Sequence, residues 1–255
     1  MSGAAARRAF DVVFFDLYGT LVDIRTDEES DAAWMGLGRF VRDHGGVAHE
    51  AQEFRRWFVR LRDERIAALG GDDPAADRYV EPDVLGVYRE ILSSCGAVGD
   101  PDELARGAAW SVRRASTSLL RLYPGALDML ARIRGSGRRA VLVSNAQSGY
   151  TRPEVAELGL TSRLDRILIS SEEGVRKPDP RFFGRALELE SVAPERVVMV
   201  GNDQTSDILG AARCGIEGVY MHTEISPGSD DVVCSAAALS VSGADYRAVE
   251  RFVLG

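Results

Sequence analysis

The stretch Asp11-Val12-Val13-Phe14-Phe15-Asp16-Leu17-Tyr18-Gly19-Thr20-Leu21 decides the fold. The β-branched and aromatic residues at 12–15 predict a short buried strand. The strand ends at a carboxylate, Asp16, and Gly19 then allows a sharp change of direction. Open α/β sheets bind their ligands at the carboxyl ends of the strands, so Asp16 is a candidate functional residue. Taken alone, it could equally be a turn residue that closes the strand.

Downstream of Tyr123-Pro124-Gly125, helical and strand patterns alternate along the chain. Further strands are predicted at 140–143, 167–169, 197–200 and 218–221, with a marginal one at 236–241 and a closing helix at 244–252. An alternation of strands and helices predicts a parallel sheet covered on both faces. The fold class is therefore α/β.

Between the first strand and this alternating part lies a block of four amphipathic helices. It extends from about 24 to about 120 without any strand signal, which suggests a small bundle. We predict an α/β core from residues 1–22 and 121–255, with a helical cap at 23–120 inserted into it. The two connections, near 22–25 and 122–125, are plausible hinges.

Composition excludes several classes of protein. The 255 residues carry a formal net charge of −8 without a basic stripe, which argues against nucleic acid as a partner. The three cysteines have neither paired nor metal-type spacing, as expected of reduced thiols in a cytoplasm. No run approaches eighteen apolar residues, so no membrane span is expected. Residues 1–9 are expected to be a frayed terminus and not a signal peptide. Composition does not indicate the oligomeric state.

Polar groups follow three of the later strands. Ser144-Asn145 ends the second strand, and both side chains can donate hydrogen bonds to an anion, although such a pair also simply forms turns. Lys177 lies past the third strand in Arg176-Lys177-Pro178-Asp179-Pro180, where prolines fix the backbone. Most lysines are solvated, but one held in this way is a candidate fixed positive charge.

The fourth strand ends in Gly201-Asn202-Asp203-Gln204-Thr205-Ser206-Asp207. Asp207 could be an ordinary helix cap. Two carboxylates close to a third, Asp16, would nevertheless repel each other unless a cation lay among them. Oxygen ligands without His or Cys fit Mg²⁺ that keeps some of its waters.

These four motifs, in this order, resemble the haloacid dehalogenase superfamily of hydrolases over residues 10–222. The resemblance implies a flavodoxin-like core with strand order 5-4-1-2-3 and a helical cap between the first and second motifs. It implies that Asp16 is the nucleophile and that Lys177 steadies it. Ser144 and Asn145 would bind the transferring group. The implied metal site consists of Asp16, the backbone carbonyl of Tyr18, and acidic residues of the fourth motif, here Asp203 and Asp207.

The sequence departs from the usual family pattern at two positions. Family phosphatases usually have a second Asp at the place of Tyr18, which protonates the leaving alcohol. Tyr at this place resembles the 2-haloacid dehalogenase branch, whose halide leaves without a proton. The second departure is Asn202, which stands where the pattern usually has Asp. Either Asn202 or the following Asp203 could face the metal.

The favoured function is Mg²⁺-dependent hydrolysis of a small phosphorylated metabolite through an aspartyl-phosphate, with Tyr18 beside the substrate. A metal-independent 2-haloacid dehalogenase is an alternative, and Arg39 and Arg42 would then be candidate halide ligands. Against it, that branch has Ser-Ser-Asn-x-x-Asp as its fourth motif. A third possibility is a weakly catalytic protein that binds a phosphorylated ligand.

Overall fold

The central sheet has six parallel strands in the order β5-β4-β1-β6-β7-β8. The computed structural model describes residues 10–70, 78–228 and 231–255, so the terminus expected at 1–9 lies outside the described residues. The strands are β1 (Val12–Phe15), β4 (Arg139–Ser144), β5 (Arg166–Ile169), β6 (Val197–Gly201), β7 (Glu217–His222) and β8 (Leu239–Ser242). The five core strands, counted along the chain, are β1, β4, β5, β6 and β7. From β7 to β5 they lie in the order fifth, fourth, first, second and third, so the implied order 5-4-1-2-3 is confirmed. Strand β8 extends the sheet beyond the fifth core strand.

Strand β1 lies at the centre because both of its faces are apolar and fully buried. It pairs with β4 on one side and β6 on the other, with Val12 opposite Arg139 and Val197. Val13 and Phe15 belong to one hydrophobic cluster and Val12 and Phe14 to the other. The continuous apolar run is therefore typical of a parallel strand covered by helices on both sides.

Helices cover both faces of this sheet. One face packs against α5 (Ala126–Gly135), α6 (Ser148–Glu157) and α10 (Tyr246–Leu254). The other packs against α8 (Pro180–Glu190) and the short α9 (Gly210–Arg213). A one-turn helix, α7 (Ser170–Glu173), follows β5, and a 3₁₀ turn (Pro194–Arg196) precedes β6. The predicted α/β layer architecture is confirmed.

The inserted block contains α1 (Asp31–Asp43), α2 (Ala51–Leu69), α3 (Leu85–Ser94) and α4 (Pro101–Ser116). These helices share a hydrophobic core of their own, which includes Trp34, Phe54, Tyr88 and Val112. Helix α4 begins with Pro101 at its first position, and the Asp100 carboxylate accepts from two N–H groups of its first turn. The boundaries 23–120 of a separate cap stay a prediction.

The prediction of a block without strands was wrong at both ends. β2 (Val22–Thr26) and β3 (Thr117–Leu122) form a two-stranded antiparallel sheet that joins the core to the inserted helices. The two strands form a sheet of their own, apart from the central sheet, and both are partly exposed without a strong apolar alternation. Their partners lie almost a hundred residues apart, with Asp23 opposite Arg121, and only tertiary structure reveals that pairing.

Two elements also differ from expectation. The predicted helix after the fourth strand is a π-helical turn (Gln204–Leu209), capped by Asp203 and followed by α9. The last strand lies at 239–242 instead of 236–241. Within the described ranges, none of the helices combines the length and the apolar character needed to cross a membrane.

Candidate active site

Asp16 lies at the carboxyl end of β1, where the chain leaves the sheet. Its N–H donates to the carbonyl of Val200 on β6, with 3.0 Å between nitrogen and oxygen. The turn behind it requires Gly19, because φ is +81° and a Cβ there would lie 2.0 Å from Nδ2 of Asn202. The first and fourth strand ends therefore meet, as the implied strand order predicts.

Lys177 occupies the centre of the site. Its Nζ lies 2.7 Å from Oδ1 of Asp16 and 2.6 Å from Oδ1 of Asp207, and its side chain is only 1% exposed. Burial alone would lower the pKa of this ammonium group, but Asp16 and Asp207 together raise it above its ordinary value. Lys177 is thus the fixed positive charge that the proline-rich segment indicated.

Asn145 connects the second motif to the third. Its Nδ2 donates to the backbone carbonyl of Lys177 at 2.9 Å, and the N–H of Lys177 donates to its Oδ1 at 2.8 Å. This reciprocal pair fixes the backbone from which the Lys177 side chain extends towards Asp16. The Asn145 amide is therefore engaged in holding Lys177, whereas the sequence indicated only a donor for an anion.

The two acidic residues of the fourth motif have different partners. Asp203 caps the π-helical turn: its Oδ1 accepts from the N–H groups of Thr205 and Ser206, and its Oδ2 from the Ser206 hydroxyl. Asp207 is buried, and its Oδ2 accepts from the N–H of Asp203 at 3.0 Å. Asn202, which is also buried, is the fourth-motif residue whose side chain lies against the turn at Gly19.

A cation does lie between two of the three carboxylates, and it is the ammonium group of Lys177. Asp16 and Asp207 share the ammonium group of Lys177, and Asp203 is satisfied by its own helix. Burial raises the pKa of the Asp207 carboxyl above its ordinary value; Lys177 opposes this rise and the charge of Asp16 adds to it. Repulsion among carboxylates alone therefore does not require a metal ion.

Ser144 lies at the end of β4 and is fully buried. Its Oγ has no hydrogen-bond partner in the described part of the chain. A buried hydroxyl without a partner costs stability, so its retention is a sign of function when it adjoins a candidate site. Ser144 directly precedes Asn145, which contacts Lys177, and its position suits the binding of an anionic group.

Tyr18 does not leave its hydroxyl free. The O–H donates to Oε2 of Glu154 in a short hydrogen bond, and Oγ1 of Thr151 lies 3.0 Å away. Burial, followed by the negative charge of Glu154, raises the pKa of the phenol well above its ordinary value. Glu154 also pairs with Arg113, which comes from α4. Sequence reasoning missed these three partners, because no motif marks them and they lie far from Tyr18 along the chain.

A cavity of about 200 Å³ opens at this edge of the sheet. It brings together seven of the eight predicted site residues, all except Ser144. Its full lining is Asp16, Tyr18, Asn145, Lys177, Asn202, Asp203, Ser206, Asp207, Ile225 and Pro227. Larger hollows on the outer surface of α2 contain none of the motif residues. The edge of the sheet at β1 is therefore the candidate active site.

Asp16 binds a buried lysine at the end of a central parallel strand, and a block of helices is inserted into the chain shortly after it. This combination defines a class of α/β hydrolase. The family model of haloacid dehalogenase-like hydrolases matches residues 10–215. The chain belongs to this family and is a hydrolase.

Two relatives and one solved structure illustrate the similarity. A glyceraldehyde 3-phosphate phosphatase of Methanothermobacter thermautotrophicus is 33% identical over 87% of this chain and 89% of its own. A phosphoserine phosphatase of Thermus thermophilus is 33% identical, and the matched region spans about half of each protein, 55%. A 2-haloacid dehalogenase of Pseudomonas syringae superposes with a TM-score of 0.59 at 20% identity, covering 96% of this chain and 98% of that one. The last likeness shows the fold alone.

Proposed function

We propose that this protein hydrolyses phosphate monoesters of small metabolites, with Asp16 as the nucleophile and Mg²⁺ as the cofactor. The observation that carries the proposal is the buried ammonium group of Lys177, held between the carboxylates of Asp16 and Asp207 at the end of β1. The relatives that match most of this chain are phosphatases by name, which supports phosphorus as the electrophile.

Asp16 performs the first step by attacking the phosphorus atom. Lys177 contacts Oδ1, so we assign Oδ2 as the attacking oxygen. The new bond from carboxylate oxygen to phosphorus forms as the bond from phosphorus to the ester oxygen breaks. The ester oxygen departs with the electron pair of that bond as an alkoxide or phenolate, which takes a proton from water. Water then attacks the acyl phosphate, which releases inorganic phosphate and regenerates Asp16.

Lys177 and Ser144 offset the negative charge of the transferring group. The charge of the ammonium group reduces the repulsion between the Asp16 carboxylate and a phosphate dianion. The Ser144 hydroxyl, which has no partner within the described residues, is the group we assign to a phosphoryl oxygen. Asn145 acts indirectly by fixing the backbone of Lys177.

The residues of the cavity fit Mg²⁺. Asp16 and Asp207 carry two negative charges against the single positive charge of Lys177, so the cluster has a net negative charge and only oxygen ligands. Among the described residues no group of three His, Cys, Asp or Glu could hold a metal, so the amide of Asn202 and the carbonyl of Tyr18 would complete the set. We assign Asn202 rather than Asp203, because the Asp203 carboxylate caps a helix. When bound, Mg²⁺ supplies charge neutralisation at the phosphoryl oxygens.

A 2-haloacid dehalogenase is the second candidate, and Tyr18 is the observation that favours it. A halide needs no proton, and the Tyr18 hydroxyl is engaged by Glu154. Arg39 and Arg42, the candidate halide ligands, are both exposed on α1. Asp207, buried next to Lys177, and the neighbouring Asn202 provide a metal-type fourth motif instead. The phosphatase is therefore the better supported function.

The deciding experiment is a paired screen of aryl and alkyl phosphate esters and of 2-halo acids, each with Mg²⁺ and with EDTA. We expect hydrolysis of phosphate esters that requires Mg²⁺, and loss of that activity in Asp16→Asn. Release of halide in EDTA, without any hydrolysis of phosphate esters, would instead establish the dehalogenase.

A further inference from the structure

A buried ion cluster joins the inserted helices to the turn that follows Asp16. Arg113, in the last turn of α4, is 6% exposed. Its Nε donates to Oε1 of Glu154 on α6 at 2.6 Å, and its Nη1 donates to Glu28, which lies between β2 and α1. The guanidinium carbon also lies 5.5 Å from the ring centroid of Tyr18 and 5.4 Å from that of Tyr150.

Glu154 is the centre of this cluster. It is 1% exposed, and each of its carboxylate oxygens has a separate partner. Oε1 accepts from Arg113, whereas Oε2 accepts from the Tyr18 hydroxyl. A buried carboxylate needs such partners, because leaving one of its oxygens unsatisfied costs the full desolvation of that atom. The two hydrogen bonds therefore depend on the same residue and stabilise each other's geometry.

Tyr18 belongs to the nucleophile turn, which we define as residues 16–22. The turn is closed by backbone hydrogen bonds from the N–H groups of Leu21 and Val22 to the carbonyl of Leu17, at 2.8 and 2.9 Å. Only one residue separates Tyr18 from Asp16. A side chain fixed at its far end by Glu154 and Thr151 restricts the backbone of this turn, and with it the direction of the Asp16 carboxylate.

A second ion pair between the same two helices provides a contrast. Arg114 and Glu157 are adjacent to the cluster on α4 and α6, and their atoms lie 3.0 Å apart. Both side chains are about half exposed, and within the described residues the hydrogen bonds of this pair run between Arg114 and Glu157 and do not include Tyr18. The Arg114–Glu157 pair holds α4 against α6 without fixing Tyr18, whereas the Arg113–Glu154 pair does both. Variants can therefore separate the two effects.

We propose that Glu154 is a positioning residue for the Asp16 nucleophile: it fixes the nucleophile turn through Tyr18, and Arg113 makes this fixation depend on the docked position of α4. The proposal rests on the proposed hydrolase chemistry of Asp16. In this arrangement the Tyr18 hydroxyl is committed to the core and gives no proton to the leaving group. The tyrosine thus replaces the usual acid of the motif with a structural connection between the turn and the inserted helices.

The test is a double-mutant cycle with Glu154→Gln and Tyr18→Phe, with Arg114→Gln as the matched control. We expect each of the first two variants to lower kcat for an aryl phosphate by about 10- to 100-fold, the range for misplacement of a reacting group. Because both substitutions act on the same turn, the kcat of the double variant should equal that of the less active single variant, within about twofold. Arg114→Gln should keep the wild-type kcat.

Stability separates positioning from general damage. Glu154→Gln should lower the unfolding temperature less in the Tyr18→Phe background than in the wild type, because Oε2 of Glu154 has already lost its donor there. Losses of kcat that multiply in the double variant, or an equal loss in Arg114→Gln, would overturn the proposal. Should Glu154→Gln fail to fold, Thr151→Val replaces it in the cycle, because Oγ1 of Thr151 also contacts the Tyr18 hydroxyl.

Amide hydrogen exchange measures the local stability of the nucleophile turn without any substrate. We expect amides of residues 17–22 to exchange faster in Glu154→Gln and Tyr18→Phe but not in Arg114→Gln. Unchanged exchange in the first two variants would overturn the positioning role even if the enzyme were a phosphatase. Conversely, faster exchange in a protein that hydrolyses no phosphate ester would refute the proposed function and leave the control of the turn by Glu154 established.

Discussion

Asp16→Asn should abolish turnover while leaving the stability of the protein almost unchanged. The activity is lost because an amide cannot form the acyl phosphate. The stability is retained because opposing electrostatic effects cancel at this position. Asp16 is attracted by Lys177, but it is also repelled by Asp207 and largely removed from water.

The structure allows these effects to be compared. The Asp16–Lys177 contact of 2.7 Å corresponds to an attraction of about 6 kcal/mol at an effective dielectric constant of about 20. The Asp207 oxygen binds the same Nζ at 2.6 Å. The two carboxylate oxygens are therefore at most about 5 Å apart, and they repel each other by at least about 3 kcal/mol. Desolvation of a carboxylate costs several kcal/mol more. In Asp16→Asn, Lys177 keeps Asp207 as its partner, so we expect a change within about 1 kcal/mol.

Urea denaturation at neutral pH without divalent cations measures the free energy of unfolding, and an aryl phosphate assay measures turnover. The matched variant is Lys177→Met, which leaves both carboxylates buried without a cation. A loss of more than about 3 kcal/mol in Asp16→Asn would refute the electrostatic balance, since that is the cost of breaking an uncompensated buried pair. Near-normal turnover, with deamidation excluded by mass spectrometry, would refute the covalent mechanism.

Four further outcomes are expected. EDTA should abolish phosphate ester hydrolysis and Mg²⁺ restore it; full activity in EDTA would contradict the metal requirement. Lys177→Met should lower the free energy of unfolding by about 3–5 kcal/mol. Because the pKa of Lys177 is raised on folding, its contribution to the free energy of unfolding is present below its unfolded value of about 10.4 and is lost as pH rises through the folded value. On the alkaline side, the difference in free energy of unfolding between Lys177→Met and the wild type should therefore narrow at strongly alkaline pH. Asp203→Ala should cost about 1 kcal/mol as a lost helix cap, and it should weaken Mg²⁺ binding, measured by calorimetry, less than Asn202→Ala does. A plot of log(kcat/KM) against leaving-group pKa should be steep, and equally steep in Tyr18→Phe; a shallow wild-type slope would mean that another residue supplies the proton.

The sequence predicts the parallel sheet well because its signals are local. The residues at 12–15 are apolar on both faces, and the strand at 197–200 has the same character, so their burial in the centre follows from composition alone. The β2–β3 sheet could not be predicted in this way. Its strands are short and partly exposed, and the pairing of Asp23 with Arg121 depends on the position of the entire inserted block.

The same distinction between local and tertiary signals applies to the candidate site. The strand-end positions of Asp16, Lys177 and Asp207 follow from local pattern and from the topology of parallel sheets. The partners of these groups do not, because a hydrogen bond depends on side-chain direction. Asp203 is a candidate metal ligand by its place in the motif, but its carboxylate caps its own helix. An Asp directly before a helix is a common N-cap residue, so the sequence also allows this role.

Tyr18 shows why one motif position can have different roles in similar folds. A carboxyl group at this position would be too short to reach α6 and would remain near the reacting atoms. The longer phenol extends to Glu154, whose other oxygen holds Arg113 of α4. Replacing the acid by tyrosine thus removes a proton donor and adds a connection between the nucleophile turn and the inserted helices. The rate of such a hydrolase should depend on how well the leaving group departs without a proton donor. It should also depend on whether α4 is docked. Both dependences arise from the side chain of Tyr18.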